Sequence, residues 1–144
     1  MATAPRSLDH YRPIAPPGTV DMLYRAAERV RDKRFTHVNS TRLGGGVAEM
    51  LHRLLPLLND LGSVTRWEVI QGDEEFFRVT KAFHNALQGQ GQPVTPEMLE
   101  HYLETNRRNA TRLDLGGDLI FIHDPQPAAL IVHRNSGVWI WRCH

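Results

Sequence analysis

Gly44-Gly45-Gly46 stands between a β-prone run, Phe35 to Asn39, and an apolar periodic stretch that opens at Val47. Consecutive glycines at a strand-to-helix turn allow positive φ and let a ligand come close. The helix behind them offers unpaired N–H groups at the positive end of its dipole. Residues 35 to 49 therefore predict a turn that presents backbone amides to an anionic or polar ligand. A tight turn that needs only small residues is the plain structural alternative. The spacing does not fit two familiar nucleotide loops: Gly44-Gly45-Gly46-Val47-Ala48-Glu49 lacks the GxGxxG pattern, and no Gly-Lys-Ser/Thr follows. Glu49 falls in the first helical turn, where an acid suits the dipole as well as it suits ligand contact.

Further polar groups sit where elements end. His123-Asp124 closes an apolar run, with Pro125 fixing the turn behind it. The pair could orient sugar hydroxyls or stabilise developing charge. Equally, Asp124 could cap the next short helix while His123 is a satisfied core histidine. His84, Asn85 and Gln88 follow the apolar face of a helix, with His84 and Gln88 one turn apart, and would either rim a polar cleft or end the helix in solvent. Arg142 and His144 end the last strand. Eight histidines invite a metal reading, but His123, His133 and His144 fall in separate segments and neither HExxH nor CxxC occurs. No metal or cofactor is expected. Trp139 and Trp141 read as sheet packing rather than a base-stacking platform, and no serine-centred nucleophile elbow is present.

The elements that must position these groups are legible as periodicities. Pro5, Pro13, Pro16, Pro17 and Gly18 predict an extended arm over residues 1–18. A first helix is expected from about Thr19 to Arg31, burying Met22, Leu23, Ala26, Ala27 and Val30. Val47, Met50, Leu51, Leu54, Leu55, Leu58 and Leu61 recur at helical spacing; Pro56 is a point of bending and Gly62 a stop. Val64 to Ile70 makes a second strand. Gln71-Gly72-Asp73 then turns into a helix from about Glu74 to Leu87, faced by Phe76, Val79, Thr80 and Phe83. Thr95 is an N-cap with Pro96 at the first helical position. Its helix runs to about Arg112, burying Met98, Leu99, Tyr102 and Leu103, with Glu104 and Arg108 paired outside. Leu119 to Ile122 is an unbroken apolar run, as in a parallel strand covered on both faces. A short helix over Ala128 to Val132 precedes a last strand, Val138 to Trp141. The alternation predicts an α/β fold: a Rossmann-like, mostly parallel sheet with flanking helices. In such sheets ligands bind beyond the carboxyl ends of the strands, which is where Asn39 to Gly46, Gln71 to Asp73, His123-Asp124, Arg142 and His144 fall.

The composition is that of one globular domain of 144 residues, 41% hydrophobic and 23% charged. With 17 Lys and Arg against 16 Asp and Glu, no bulk field attracts nucleic acid or anionic lipid. No apolar run approaches the about 20 residues of a membrane span, and residues 1–17 lack the apolar core of a signal peptide. The single cysteine, Cys143, reads as structural and fits a reducing cytoplasm.

Several runs carry a resemblance. They are His37-Val38-Asn39-Ser40-Thr41, Gly44 to Glu49, Gly72 to Phe77, Phe83 to Gly89, Asn106 to Ala110, His123 to Ala128 and Trp141 to His144. In order, and over nearly the whole chain, they resemble the trehalose synthase (glycosyl-transferring) group of the retaining family 4 glycosyltransferases, close to the trehalose phosphorylases. The resemblance implies the N-terminal, acceptor-side part of a two-domain GT-B enzyme that transfers glucose from a nucleotide sugar to glucose. Carried onto matching positions, Gly45 and Gly46 would approach the donor phosphate and His123 the transferred sugar, while His84, Asn85, Gln88 and Arg142 would serve the acceptor side.

The same resemblance implies that residues 19–144 form an incomplete domain, lacking the second domain that grips the nucleotide. A fragment unable to complete transfer alone is the expectation, with an unpaired sheet edge as a route to a homo-oligomer. A trehalose phosphorylase fragment and a non-catalytic sugar-binding module are the competing readings.

Overall fold

Four runs rich in β-branched and aromatic residues form strands: β1 Arg34–Asn39, β2 Val64–Val69, β3 Leu119–His123 and β4 Val138–Arg142. The computed structural model describes residues 7–91 and 93–144. All the strand pairings are parallel, in the order β2-β1-β3-β4. Parallel neighbours need crossovers. Here α2 (Gly46–Asp60) joins β1 to β2, and α3 (Glu74–Leu87) with α4 (Pro96–Arg112) joins β2 to β3. A 3-10 turn, Ala128–His133, joins β3 to β4, and α1 (Thr19–Ala27) precedes the sheet.

Because side chains alternate across a strand, the sheet buries residues on both faces. On one face Trp67 packs beneath Ala48, Leu51 and Leu55 of α2. On the other, Val38, Ile120 and Ile122 meet Phe76 and Val79 of α3, Tyr102 of α4 and Leu130. This is the expected Rossmann-like arrangement, and the caps fix its limits. Asp73 accepts from the Phe76 amide at 2.8 Å, and Thr95 from the Met98 amide at 3.3 Å. Pro56 lies inside α2, which continues to Asp60.

Three expectations need correction. Ser7 caps a 3-10 turn, Leu8–Tyr11, with Leu8 buried, so this stretch is folded rather than an extended arm; residues 1–6 lie outside the described residues. The first helix tightens into a 3-10 turn at Glu28–Val30, and Met22, Leu23 and Ala26 are exposed while Val20 and Ala27 are buried. On α4, Leu99 and Leu103 are exposed and the buried face is Tyr102, Thr105, Asn106 and Asn109. The reason is that α4 enters the core through Tyr102 and uses the rest of its buried face to brace loops. Tyr102 Oη donates to the Pro125 carbonyl (2.8 Å), Asn106 Nδ2 to that of Gln126 (3.1 Å) and Asn109 Nδ2 to that of Gln71 (2.7 Å). On its wet side Glu104 pairs more closely with Arg107 (2.7 Å) than with Arg108 (4.0 Å).

Gly137, just before β4, has φ +73, and a Cβ there would lie 2.5 Å from both the Gly117 carbonyl oxygen and Ile120 Cδ1. Gly137→Ala combines left-handed strain with overpacking against backbone. It is expected to cost on the order of 3 kcal/mol, read as a lowered urea midpoint. A midpoint equal to wild type would refute this packing.

Candidate functional site

From β1 the chain moves out to β2, then crosses back beyond β1 to β3, so the winding direction reverses between β1 and β3. Open α/β sheets bind ligands outside the strand ends at such a switch point. The loops that leave these two strands are the glycine turn and His123-Asp124.

The turn after β1 is held at its start and open at its tip. Asn39 is the pivot: its Nδ2 donates to the Thr41 carbonyl (2.7 Å) and its Oδ1 accepts from Trp67 Nε1 (2.8 Å). The Arg42 guanidinium lies 4.7 Å over the Trp67 ring, and His52 of α2 reaches the Arg42 carbonyl at 2.9 Å. Gly44 and Gly45 then take φ +70 and +84, whereas Gly46 is the first residue of α2. Among the described residues a Cβ at any of the three would meet nothing within 4 Å, so the backbone conformation of the first two, not crowding, calls for glycine. Unlike α3 and α4, α2 has no side-chain cap, and its first-turn amides have no partner within the helix. Glu49 sits exposed in that first turn.

Beyond β3, Asp124 adopts φ +67, uncommon for a residue with a Cβ. Its amide donates to the Arg142 carbonyl (2.8 Å), its carbonyl accepts from Trp141 Nε1 (3.0 Å), and its Oδ1 accepts from the His144 amide (2.9 Å). Asp124 therefore ties the ends of β3 and β4 together and does not cap the next turn, which has no side-chain cap. Arg142 reaches across to α2, with Nη1 3.1 Å from Met50 Sδ.

His123 is buried and forms the middle of a line of imidazoles. His37 Nδ1 lies 3.1 Å from His123 Nε2, and His123 Nδ1 lies 3.3 Å from His144 Nε2. The rings are strung nitrogen to nitrogen and do not converge on a point. Among the described residues, no group of three or more His, Cys, Asp or Glu is arranged to hold a metal ion. Burial pushes the His37 imidazole down to about 4, helped by the Arg142 charge. It pushes that of His123 down to about 4 as well, with His37, His144 and Arg142 adding to the effect and Asp124 opposing it. Both are neutral at physiological pH. His37, His123 and Arg142 line a cavity of about 330 Å³ with Phe35, Leu54 and Phe121.

His123, Asp124, Arg142 and His144 are thus brought together, and the Arg142–Met50 contact links them to the helix of the glycine turn. His84 and Gln88 hydrogen-bond to each other (3.1 Å); His84 and Asn85 lie in the last turn of α3 and Gln88 is its C-cap. Their hydrogen bonds are local to this helix end, and the structure does not bring them together with the strand-end residues; it is the neighbouring Phe83 that meets Tyr102 edge-on at 5.0 Å, and Tyr102 holds the loop after β3. Cys143, expected to be structural, is exposed. His37 was not among the sequence candidates. Its signal was an imidazole in the middle of a β-prone run, between Phe35 and Val38, but its partner is 86 residues away. A second polar recess of about 300 Å³ at the end of β2 is lined by Gln71, Asp73, Arg108, Asn109 and Arg112. A groove of about 950 Å³ runs between α4 and the Ala128–His133 turn and is lined by none of the strand-end residues.

Residues 37–144 match the family model described as "Trehalose synthase, N-terminal domain". The chain belongs to this family. The trehalose synthase of Thermococcus litoralis is 51% identical over 142 residues, covering 96% of this chain and 34% of that protein. That of Rubrobacter xylanophilus is 44% identical over 147 residues, covering 96% and 35%. More distant is the trehalose phosphorylase of Pleurotus pulmonarius, 34% identical over 137 residues, covering 86% and 18%. The chain spans about a third of the length of the trehalose synthases it matches. The trehalose synthase match takes in His37, the glycine turn and the ends of β3 and β4, so every candidate site residue lies inside it. Among the described residues no helix is long and apolar enough to cross a membrane.

Proposed function

We propose that this chain is the acceptor-side, N-terminal part of a retaining glucosyltransferase that forms trehalose from a nucleotide-glucose donor and glucose. The observation that carries the reading is the convergence, inside the trehalose synthase family match, of an uncapped helix start and a buried histidine at one sheet switch point. As the donor C1–O bond breaks, negative charge collects on the departing phosphate. The amides behind Gly44, Gly45 and Gly46 are suited to hold it, with Arg142 adding positive charge nearby. His123 and Asp124 serve the transferred sugar, and Glu49, His84, Asn85, Gln88 and His144 contact the substrates. The nucleotide is gripped by a second, carboxyl-terminal domain, and closure of the two excludes water from a hydrolysable donor. The enzyme works in the cytoplasm.

Supplying the chain with the carboxyl-terminal part of a trehalose synthase, each piece folded, should restore trehalose formation from nucleotide-glucose and glucose, with neither piece active alone. Turnover by the chain alone, or none from the folded pair, would sink the proposal. The phosphorylase reading draws on the 34% relative and is weaker than the 44–51% synthase matches. It gains only if glucose 1-phosphate replaces the nucleotide sugar as donor.

A further inference from the structure

We infer that His37 is a positioning residue that fixes His123 as its Nδ1–H tautomer, so that this imidazole offers a hydrogen-bond donor to a hydroxyl or phosphate oxygen at the sheet edge. The ligand oxygen rests on the proposed function; the tautomer rests on the geometry alone.

Two neutral imidazoles joined nitrogen to nitrogen allow two arrangements. Either His37 Nδ1–H donates to His123 Nε2, or His123 Nε2–H donates to His37 Nδ1 across the same 3.1 Å. The other nitrogen of His37 decides between them. His37 Nε2 is buried with no hydrogen-bond partner among the described residues. In the second arrangement that atom carries a proton and becomes a buried donor without an acceptor, which folded proteins rarely tolerate. In the first it is a bare ring lone pair, the milder of the two defects. The first arrangement therefore holds, leaving His123 with its proton on Nδ1, directed at His144 Nε2 3.3 Å away.

Neighbours keep His37 in place. Phe121 stacks on its ring with centroids 4.6 Å apart and planes 7° from parallel, and the His37 and His123 planes differ by only 16°. The downward shift of both imidazoles keeps them neutral near pH 7, the condition under which a single tautomer is meaningful. His144, by contrast, is exposed, so its ring can give way to a ligand oxygen that accepts the same proton. The donor direction thus runs outward from β1, through β3, to the site.

The test is a two-bond nitrogen–proton correlation spectrum of the full 144-residue chain, labelled with ¹⁵N-histidine at neutral pH. His123 is assigned by its loss in His123→Gln. A protonated Nδ1 and bare Nε2 at His123 are expected, and the reverse pattern overturns the inference. His37→Phe removes the donor and should release His123 into mixed or reversed tautomers. His37→Asn sets an amide donor where Nδ1 lay and should keep the Nδ1–H form. An unchanged His123 signal in His37→Phe would also overturn it. The wild-type spectrum alone decides the tautomer if a variant fails to fold, and because no turnover is needed, the result is independent of trehalose formation.

Discussion

Between about pH 6.5 and about pH 4 the protein is expected to lose about 3 kcal/mol of folding stability through the His37–His123 pair. In the unfolded chain both imidazoles take up protons near their ordinary value of 6.5, whereas burial delays this in the folded state to about 4. Above 6.5 both states are neutral and stability is full. As the pH falls, the unfolded chain binds protons first and is favoured, and the loss is complete once the folded imidazoles also titrate. The two rings share one hydrogen bond, so their titrations are coupled and the loss is taken once.

The carboxylates act in a different window. Asp73, Asp114 and Asp118 are held below their ordinary 3.8 chiefly by backbone amides of Phe76, Gly116 and Arg34, so their contribution fades only at and below that value. Urea midpoints measured across the range separate the two effects. A flat profile from 6.5 down to about 5 would mean that the buried pair ionises as readily folded as unfolded.

Gly45→Val, in the enzyme completed by its carboxyl-terminal part, is expected to lower kcat about 100-fold by turning the amides of the loop away from the departing phosphate. Gly45 sits at φ +84 and ψ 151, a region open essentially to glycine, and a Cβ there meets no described atom within 4 Å, so the substitution acts through backbone strain. The strain should cost on the order of 3 kcal/mol of stability, so turnover is compared per folded molecule. Gly46→Val separates the two causes: Gly46 begins the helix without positive φ and its Cβ would face open space, so a loss of kcat there comes from a side chain standing where the phosphate approaches and not from strain. Wild-type turnover per folded molecule in Gly45→Val would return the glycines to the role of a plain turn.

The limits of the elements were legible because local chemistry sets them. Asp73 and Thr95 cap α3 and α4 at the positions their types suggest, and Gly62, at φ +90, follows the end of α2. The unbroken apolar run at Leu119 to Ile122 is a parallel strand whose Ile120 and Ile122 are buried in the core, while Leu119 and Phe121 on the other face are half-buried, Phe121 lining a cavity with Leu54 and Leu58 of α2. The face of α4 was not legible. Leu99 and Leu103 have core periodicity, yet Asn106 and Asn109 are buried because the strand-end loops they hold present backbone groups that must be satisfied. Periodicity records which residues share a face, not what that face meets.

The glycine turn itself could be read from residue types, because positive φ is a local property. Its being opposite His123 could not, because that follows from strand order. In β1 and β3, His37 pairs with Phe121 and Val38 with Ile122, a register fixed by packing between segments far apart in the chain. The sequence by itself determined the parallel α/β class, the helix and strand limits and the polar strand ends. Only the tertiary structure set β3 beside β1, and with it the buried His37–His123 pair, since that choice depends on how both sheet faces are covered at once.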